Sequence, residues 1–154
     1  MYLASRTRAQ AIVIQGDRVL FGYHGKGSPH FFIGGGVEEG ETAEQGVLRE
    51  LREEANVEGT ILLRLGDDVF ARHVTFLVDI DPQTPQPGFD PEEHKSGEAK
   101  SLVSLDLVPL TEHESFTGID IDYFKILLAE CGRKNMSFPW LDAMDSLVRK
   151  GSQK

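Results

Sequence analysis

The run from Gly35 to Val57, GGVEEGETAEQGVLRELREEANV, constrains the fold more than any other stretch of the chain. Three consecutive glycines, Gly34 to Gly36, let the backbone turn sharply and approach another group closely. Thr42 then offers an N-cap, and Gln45 three residues later completes a capping box. The helix this starts runs to about Ala55, with Val47, Leu51 and Leu48 inward and Gly46 allowing close packing. Glu50, Glu53 and Glu54 stand at i, i+3 and i+4, so their side chains fall within about 100° of arc. Three like charges side by side oppose folding unless a cation sits among them. A divalent metal holding a phosphate chain meets that need, because a hard cation such as Mg²⁺ takes carboxylate and phosphate oxygens together.

The rest of the chain supplies the frame. Ala11–Ile14 and Arg18–Tyr23 are β-like runs separated by Gln15-Gly16-Asp17, which predicts a hairpin. Gly25 to His30 is a polar, glycine-rich loop without P-loop spacing. Phe31-Phe32-Ile33 is a short strand that enters the glycines. Thr60–Leu65, Val69–Ile80 (with a break near Arg72-His73) and Ser101–Leu107 read as further strands. The stretch 81–100 is rich in proline, glycine and charge and is expected to be a long functional loop. Ile119–Cys131 predicts a helix stopped by Gly132, and Pro139–Arg149 predicts a last amphipathic helix. Strands around a central helix, with helices at the end, predict an α/β layered domain with a mixed β-sheet, and one domain across residues 1–154.

Composition excludes some classes. A formal net charge of −9 argues against a stable nucleic-acid binder, which needs a basic surface. It leaves nucleotides open, since a bound metal inverts the local field. The single cysteine, Cys131, rules out an internal disulfide and lies among apolar neighbours as a structural thiol. No apolar run is long enough for a membrane span and no signal pattern opens the chain, so a cytoplasmic protein without membrane contact is expected.

The central run resembles the box of the Nudix hydrolases, G-x5-E-x7-R-E-U-x-E-E-x-G-U, with U a bulky aliphatic residue. Gly35, Glu41, Arg49, Glu50, Leu51, Glu53, Glu54 and Val57 fall in register over residues 35–57. Asn56 stands where the box has glycine. Asparagine is the next most tolerant residue in the left-handed conformation common there, so the change is expected to be mild. Ile33 replaces the proline that often precedes the glycines. The resemblance implies the Nudix α/β/α sandwich and hydrolysis of a nucleoside diphosphate linked to another moiety, a phosphorus-containing acid anhydride, with Mg²⁺ (or Mn²⁺). It implies Glu50, Glu53 and Glu54 as metal ligands, Glu53 and Glu54 being counted as catalytic. Gly35, Gly36, Glu41 and Arg49 become supporting residues that hold the loop and helix together.

Outside the box the candidates are fewer. Glu98, just before a predicted strand, is the first choice for general base, with Glu92 and Glu93 as alternatives. His30, Arg72 and Phe89 are the candidate substrate contacts, with Lys26 and Arg64 as further phosphate-neutralising candidates. The five histidines share no metal-ligand spacing. Downstream markers of the ADP-ribose and dinucleoside polyphosphate subfamilies are absent, which favours a MutT-like nucleoside triphosphate pyrophosphohydrolase. A nucleotide-sugar or ADP-ribose-type diphosphatase is the alternative, and a retired Nudix-fold nucleotide-binding or regulatory domain is another. The expected partner is a nucleotide-type small molecule, with the last helix offering an apolar face to a homodimer.

Overall fold

The computed structural model describes residues 7–25, 27–66, 69–87 and 104–152. Its strands are β1 (Arg8–Gln15), β2 (Arg18–Tyr23), β3 (Ile33–Gly36), β4 (Thr60–Arg64), β5 (His73–Asp79) and β6 (Ser104–Pro109). Its α-helices are α1 (Ala43–Ala55), α2 (Gly118–Arg133) and α3 (Leu141–Ser152). A short 3₁₀ turn, His113–Ser115, precedes α2. No helix among the described residues is long and apolar enough to cross a membrane.

The sheet is mixed, in the order β4-β5-β1-β2-β6, with β3 paired to β1. β1 is the hub. It runs parallel to β5, antiparallel to β3 through Arg8–Ala11, and antiparallel to β2 through the predicted hairpin. A parallel pair needs a crossover connection. The chain between β1 and β5 supplies it and contains α1.

β1 is buried on both faces, and its side chains divide by parity. Ala9, Ala11 and Val13 join Val47, Leu51 and Ala55 of α1 in one core cluster, with Phe76 and Val78 of β5. Ile12 and Ile14 join the other, with Phe124 and Leu127 of α2 and Met144, Leu147 and Val148 of α3. The sheet is therefore filled between α1 on one side and α2 with α3 on the other, the α/β/α layering expected from the sequence. Trp140 and the apolar face of α3 are spent inside this second core rather than on the surface. Cys131 is buried there too, and burial pushes its thiol pKa up, as befits a structural thiol.

Several boundaries differ from the sequence expectation. β1 runs Arg8–Gln15, longer than Ala11–Ile14, and β3 takes in the glycines as Ile33–Gly36 instead of Phe31–Ile33. β5 starts only at His73, because Arg72 takes a left-handed φ of 65° and the His73 N–H returns to the Phe70 carbonyl at 3.2 Å. α2 passes through Gly132 and stops at Lys134 instead. The left-handed residue is Asn135, at φ 53°, and the Met136 N–H closes on the Cys131 carbonyl at 2.9 Å. An interior glycine costs only about 1 kcal/mol, too little to end a helix whose closing bonds lie further on. α3 begins at Leu141, after the turn in which the Leu141 N–H bonds to the Phe138 carbonyl.

Gly34 is the tightest point of the β1–β3 pair. A Cβ there would sit 2.2 Å from the Ala9 carbonyl oxygen and 2.7 Å from Gln10 Cα, both backbone. Gly34→Ala should lower the unfolding free energy by at least about 1–3 kcal/mol in urea titrations. Gly25→Ala, where a Cβ meets nothing within 4 Å, should stay within about 0.5 kcal/mol of the parent.

Candidate active site

The helix that carries the acidic triplet is fixed at both ends. The Thr42 hydroxyl accepts the Gln45 N–H at 3.1 Å while the Gln45 side chain accepts the Thr42 N–H at 2.9 Å. At the other end Asn56 is the C-cap at φ 57°, ψ 40°, the left-handed conformation that asparagine tolerates after glycine. The substitution seen in the sequence thus occupies a geometry suited to it. Between these ends the helix presents Arg49, Glu50, Glu53 and Glu54 toward the glycine strand β3.

Arg49 is the centre of the polar face. Its Nε and Nη2 donate to the two oxygens of Glu41 at 2.8 and 3.1 Å, a fork-to-carboxylate pair. Nη2 also donates to the Gly36 carbonyl at 3.1 Å. Nη1 bridges Glu50 at 3.0 Å and Glu53 at 3.1 Å. The Glu41 bonds, then those of Glu50, hold the guanidinium pKa well above its ordinary value against the opposing effect of burial. Gly46, buried on α1, leaves space for this fork: a Cβ there would lie 3.1 Å from a Glu41 oxygen.

Glu50 and Glu54 form the inner pair. A Cβ on Gly35 would lie 2.5 Å from Glu50 Oε1, so the carboxylate sits directly over a backbone that only glycine opens to it. Burial pushes the Glu54 pKa up to about 8, assisted by the charge of Glu50, a hydrogen bond with it, and the charge of Glu53, while Arg8 pulls the other way. Glu54 Oε2 is buried without a hydrogen-bond partner. An orphaned buried carboxylate oxygen beside a second carboxylate is a donor set suited to a hard divalent cation. Among the described residues no three acidic, histidine or cysteine groups already converge into an ion cage. On the Glu50–Glu53 side of the triplet lies Arg49 Nη1.

This pair opens onto a cleft of about 600 Å³. Glu50, Glu54 and the glycines form one wall. The same cleft is also lined by Arg8, His24, His30, Phe31 and His73. Its floor comes from β1 and β5, where Arg8 faces His73 and Gln10 faces Thr75 in register. Gln10 Nε2 donates to the buried Thr75 hydroxyl at 3.0 Å, which fixes the amide. His24 stacks on Phe31 with ring centroids 4.5 Å apart.

Of the predicted site residues, Gly35, Glu50, Glu54 and His30 line the cleft, while Glu41, Glu53 and Gly36 are not among its lining residues and are joined to Glu50 through Arg49. Arg72 is not among the cleft-lining residues; it forms the turn into β5, and its carbonyl accepts the Arg8 N–H at 2.8 Å. Arg64 lies over the Phe76 ring and lines a separate hollow with Glu130. Lys26, Phe89, Glu92, Glu93 and Glu98 lie outside the described residues. Sequence reasoning missed Arg8, Gln10, His24 and His73 as lining groups. The signal was present in β1, where Arg8 and Gln10 are polar on the face that turns apolar at Ile12 and Ile14.

A model of the NUDIX domain matches residues 5–120. No curated protein sequence matches the chain significantly. Among solved structures it is similar to a NUDIX hydrolase from Nitrosomonas europaea, with a TM-score of 0.62 and 16% identity over 81% of this chain and 89% of that one. It is similar to a MutT structure from work on Aliivibrio salmonicida and Vibrio cholerae, with a TM-score of 0.58 and 19% identity over 81% of this chain and 98% of that one. An ADP-ribose pyrophosphatase from Streptococcus suis gives a TM-score of 0.53 at 15% identity, over 70% and 75% of the two chains. At these identities the structural likeness establishes the fold.

Lysine cannot reproduce the fork of Arg49. Arg49→Lys should cost about 1–3 kcal/mol in thermal or urea unfolding, by loss of charge-assisted hydrogen bonds. Asn56→Gly should leave stability equal or higher, while Asn56→Val should cost about 1–2 kcal/mol at the same left-handed position. Equal stability of the glycine and valine variants would contradict the cap geometry.

Proposed function

The chain belongs to the NUDIX family of hydrolases, and on that premise we propose that it cleaves the diphosphate of a nucleoside diphosphate derivative, with a nucleoside triphosphate of the MutT type as the favoured substrate. The observation that carries this is the Glu50–Glu54 pair, one oxygen of it buried and unpartnered, at the head of a cleft large enough for a nucleotide. Glu50, Glu53 and Glu54 would hold Mg²⁺ or Mn²⁺. A divalent ion there supplies neutralisation of phosphate charge and a water of lowered pKa.

The chain's own groups do the rest. Arg49 ties the Glu41 loop and the Gly36 carbonyl to the helix, so the carboxylates stay aimed into the cleft. Gly35 keeps the backbone clear for the phosphates. Arg8 and the histidines line the cleft beside the acidic wall and suit a substrate whose negative charge extends along a phosphate chain. That arrangement favours a triphosphate over a substrate ending in a neutral sugar. His24 and Phe31 offer a stacked aromatic surface to a base. Glu98 is the proposed general base, with Phe89 and Arg72 as further proposed substrate contacts.

A panel of nucleoside triphosphates, dinucleotides and nucleotide sugars, each with Mg²⁺ or Mn²⁺, should show release of pyrophosphate or nucleoside monophosphate, fastest for a triphosphate. Faster release from nucleotide sugars or ADP-ribose would move the substrate to that class, and binding without turnover would identify a retired domain. Glu53→Gln and Glu54→Gln should each lower kcat by orders of magnitude without unfolding the chain; near-normal rates would refute the ligand assignment. Glu98→Gln should lower it by about 10²–10⁴-fold if it is the base.

A further inference from the structure

His30 and Asp120 are 90 positions apart in sequence, yet His30 Nε2 lies 2.6 Å from Asp120 Oδ2. Both side chains are nearly buried, at 11% and 6% exposure. Asp120 is the N3 residue of the capping box that starts α2: Oδ2 accepts the Thr117 N–H at 2.9 Å, and the Asp120 N–H donates to the Thr117 hydroxyl at 3.1 Å. Oδ2 already acts as an acceptor there, so the hydrogen between it and His30 lies on Nε2, whatever the charge of the ring.

The remaining freedom of the ring is also removed. One face stacks on Phe21, with centroids 3.9 Å apart and planes 26° apart, and Tyr23 meets it edge-on at 6.1 Å. With that face covered and the Nε2 edge taken, the other face and the Nδ1 edge are what His30 has left to offer the cleft it lines.

We propose that Asp120 is a positioning residue that fixes His30 with Nε2 protonated, so that Nδ1 contacts the bound substrate in the cleft that Glu50 and Glu54 also line. This rests on the hydrolase function proposed above. It assigns a role to a helix-capping residue that touches neither the box nor the substrate. The contact suits a group that can either accept or donate a hydrogen bond, since Nδ1 accepts in the neutral ring and donates in the charged one.

The test uses the full chain with ¹⁵N-labelled histidine. Two-bond ¹H–¹⁵N imidazole spectra should show His30 protonated at Nε2, an assignment lost in Asp120→Ala and retained in Asp120→Asn, whose side-chain oxygen can still accept. Adding MgATP or MgUDP-glucose should shift the His30 Nδ1 resonance. With whichever panel member turns over, His30→Ala and Asp120→Ala should each lower kcat/KM by about 10–100-fold, chiefly through KM. The double variant should lose little more than either single one. Thr117→Ala, which weakens the same helix cap but keeps the carboxylate, should lower Tm and leave kcat/KM within about threefold. A neutral ring protonated at Nδ1 alone, additive losses, or a Thr117→Ala loss equal to that of Asp120→Ala would overturn the proposal. A chain that hydrolyses and binds no panel member would remove the hydrolase function and the substrate contact together, and the tautomer assignment separately tests the role given to Asp120.

Discussion

The fork between Arg49 and Glu41 is the joint on which this site depends. Its two members belong to different pieces of backbone, the loop after β3 and the middle of α1. The pair adds a polar tie between α1 and the loop after the glycine strand to the apolar packing of α1 on the sheet. The same guanidinium reaches the Gly36 carbonyl and two of the three triplet carboxylates, so one cation links Glu50 and Glu53 to the glycine strand. Its charge also offsets part of the repulsion that the triplet imposes on a helix. A partly enclosed hydrogen-bonded network of this kind is worth more for geometry than for net stability, because desolvation consumes much of its Coulombic gain.

Two polar groups that line the cleft share one construction: Gln10 is fixed by Thr75 and His30 by Asp120. The backing partners come from different elements, namely β5 and the first turn of α2. Groups held in this way lose little further conformational freedom when a ligand arrives. The acidic end differs. Glu54 keeps a buried oxygen without a partner, and its pKa is raised first by burial and then by the carboxylates beside it.

Much of this was legible in the sequence because it is local. The capping box at Thr42, the carboxylate spacing, the hairpin at Gly16 and the left-handed tolerance of Asn56 are each set within a few residues. The Glu41–Arg49 pair was legible because eight residues of loop and helix return one to the other. What escaped is non-local. Nothing near His30 announces Asp120, and nothing near Gln10 announces Thr75; only the sheet register and the packing of α2 bring them together. Boundaries moved for a related reason. Gly132 looked like a stop, but the closing bonds of α2 form at Lys134 and Met136.

β1 serves the core and the cleft with the same row of side chains. Arg8 and Gln10 reach the cavity, and Ile12 and Ile14 continue that row into the apolar interior. Because side chains alternate, a slip of one residue would carry Arg8 and Gln10 into the core under α1 and leave alanines facing the ligand. The misaligned chain would then lose its apolar packing and the polar lining of its cleft together. For this strand the chemistry of the cleft and correct threading are a single property, so neither can be altered alone.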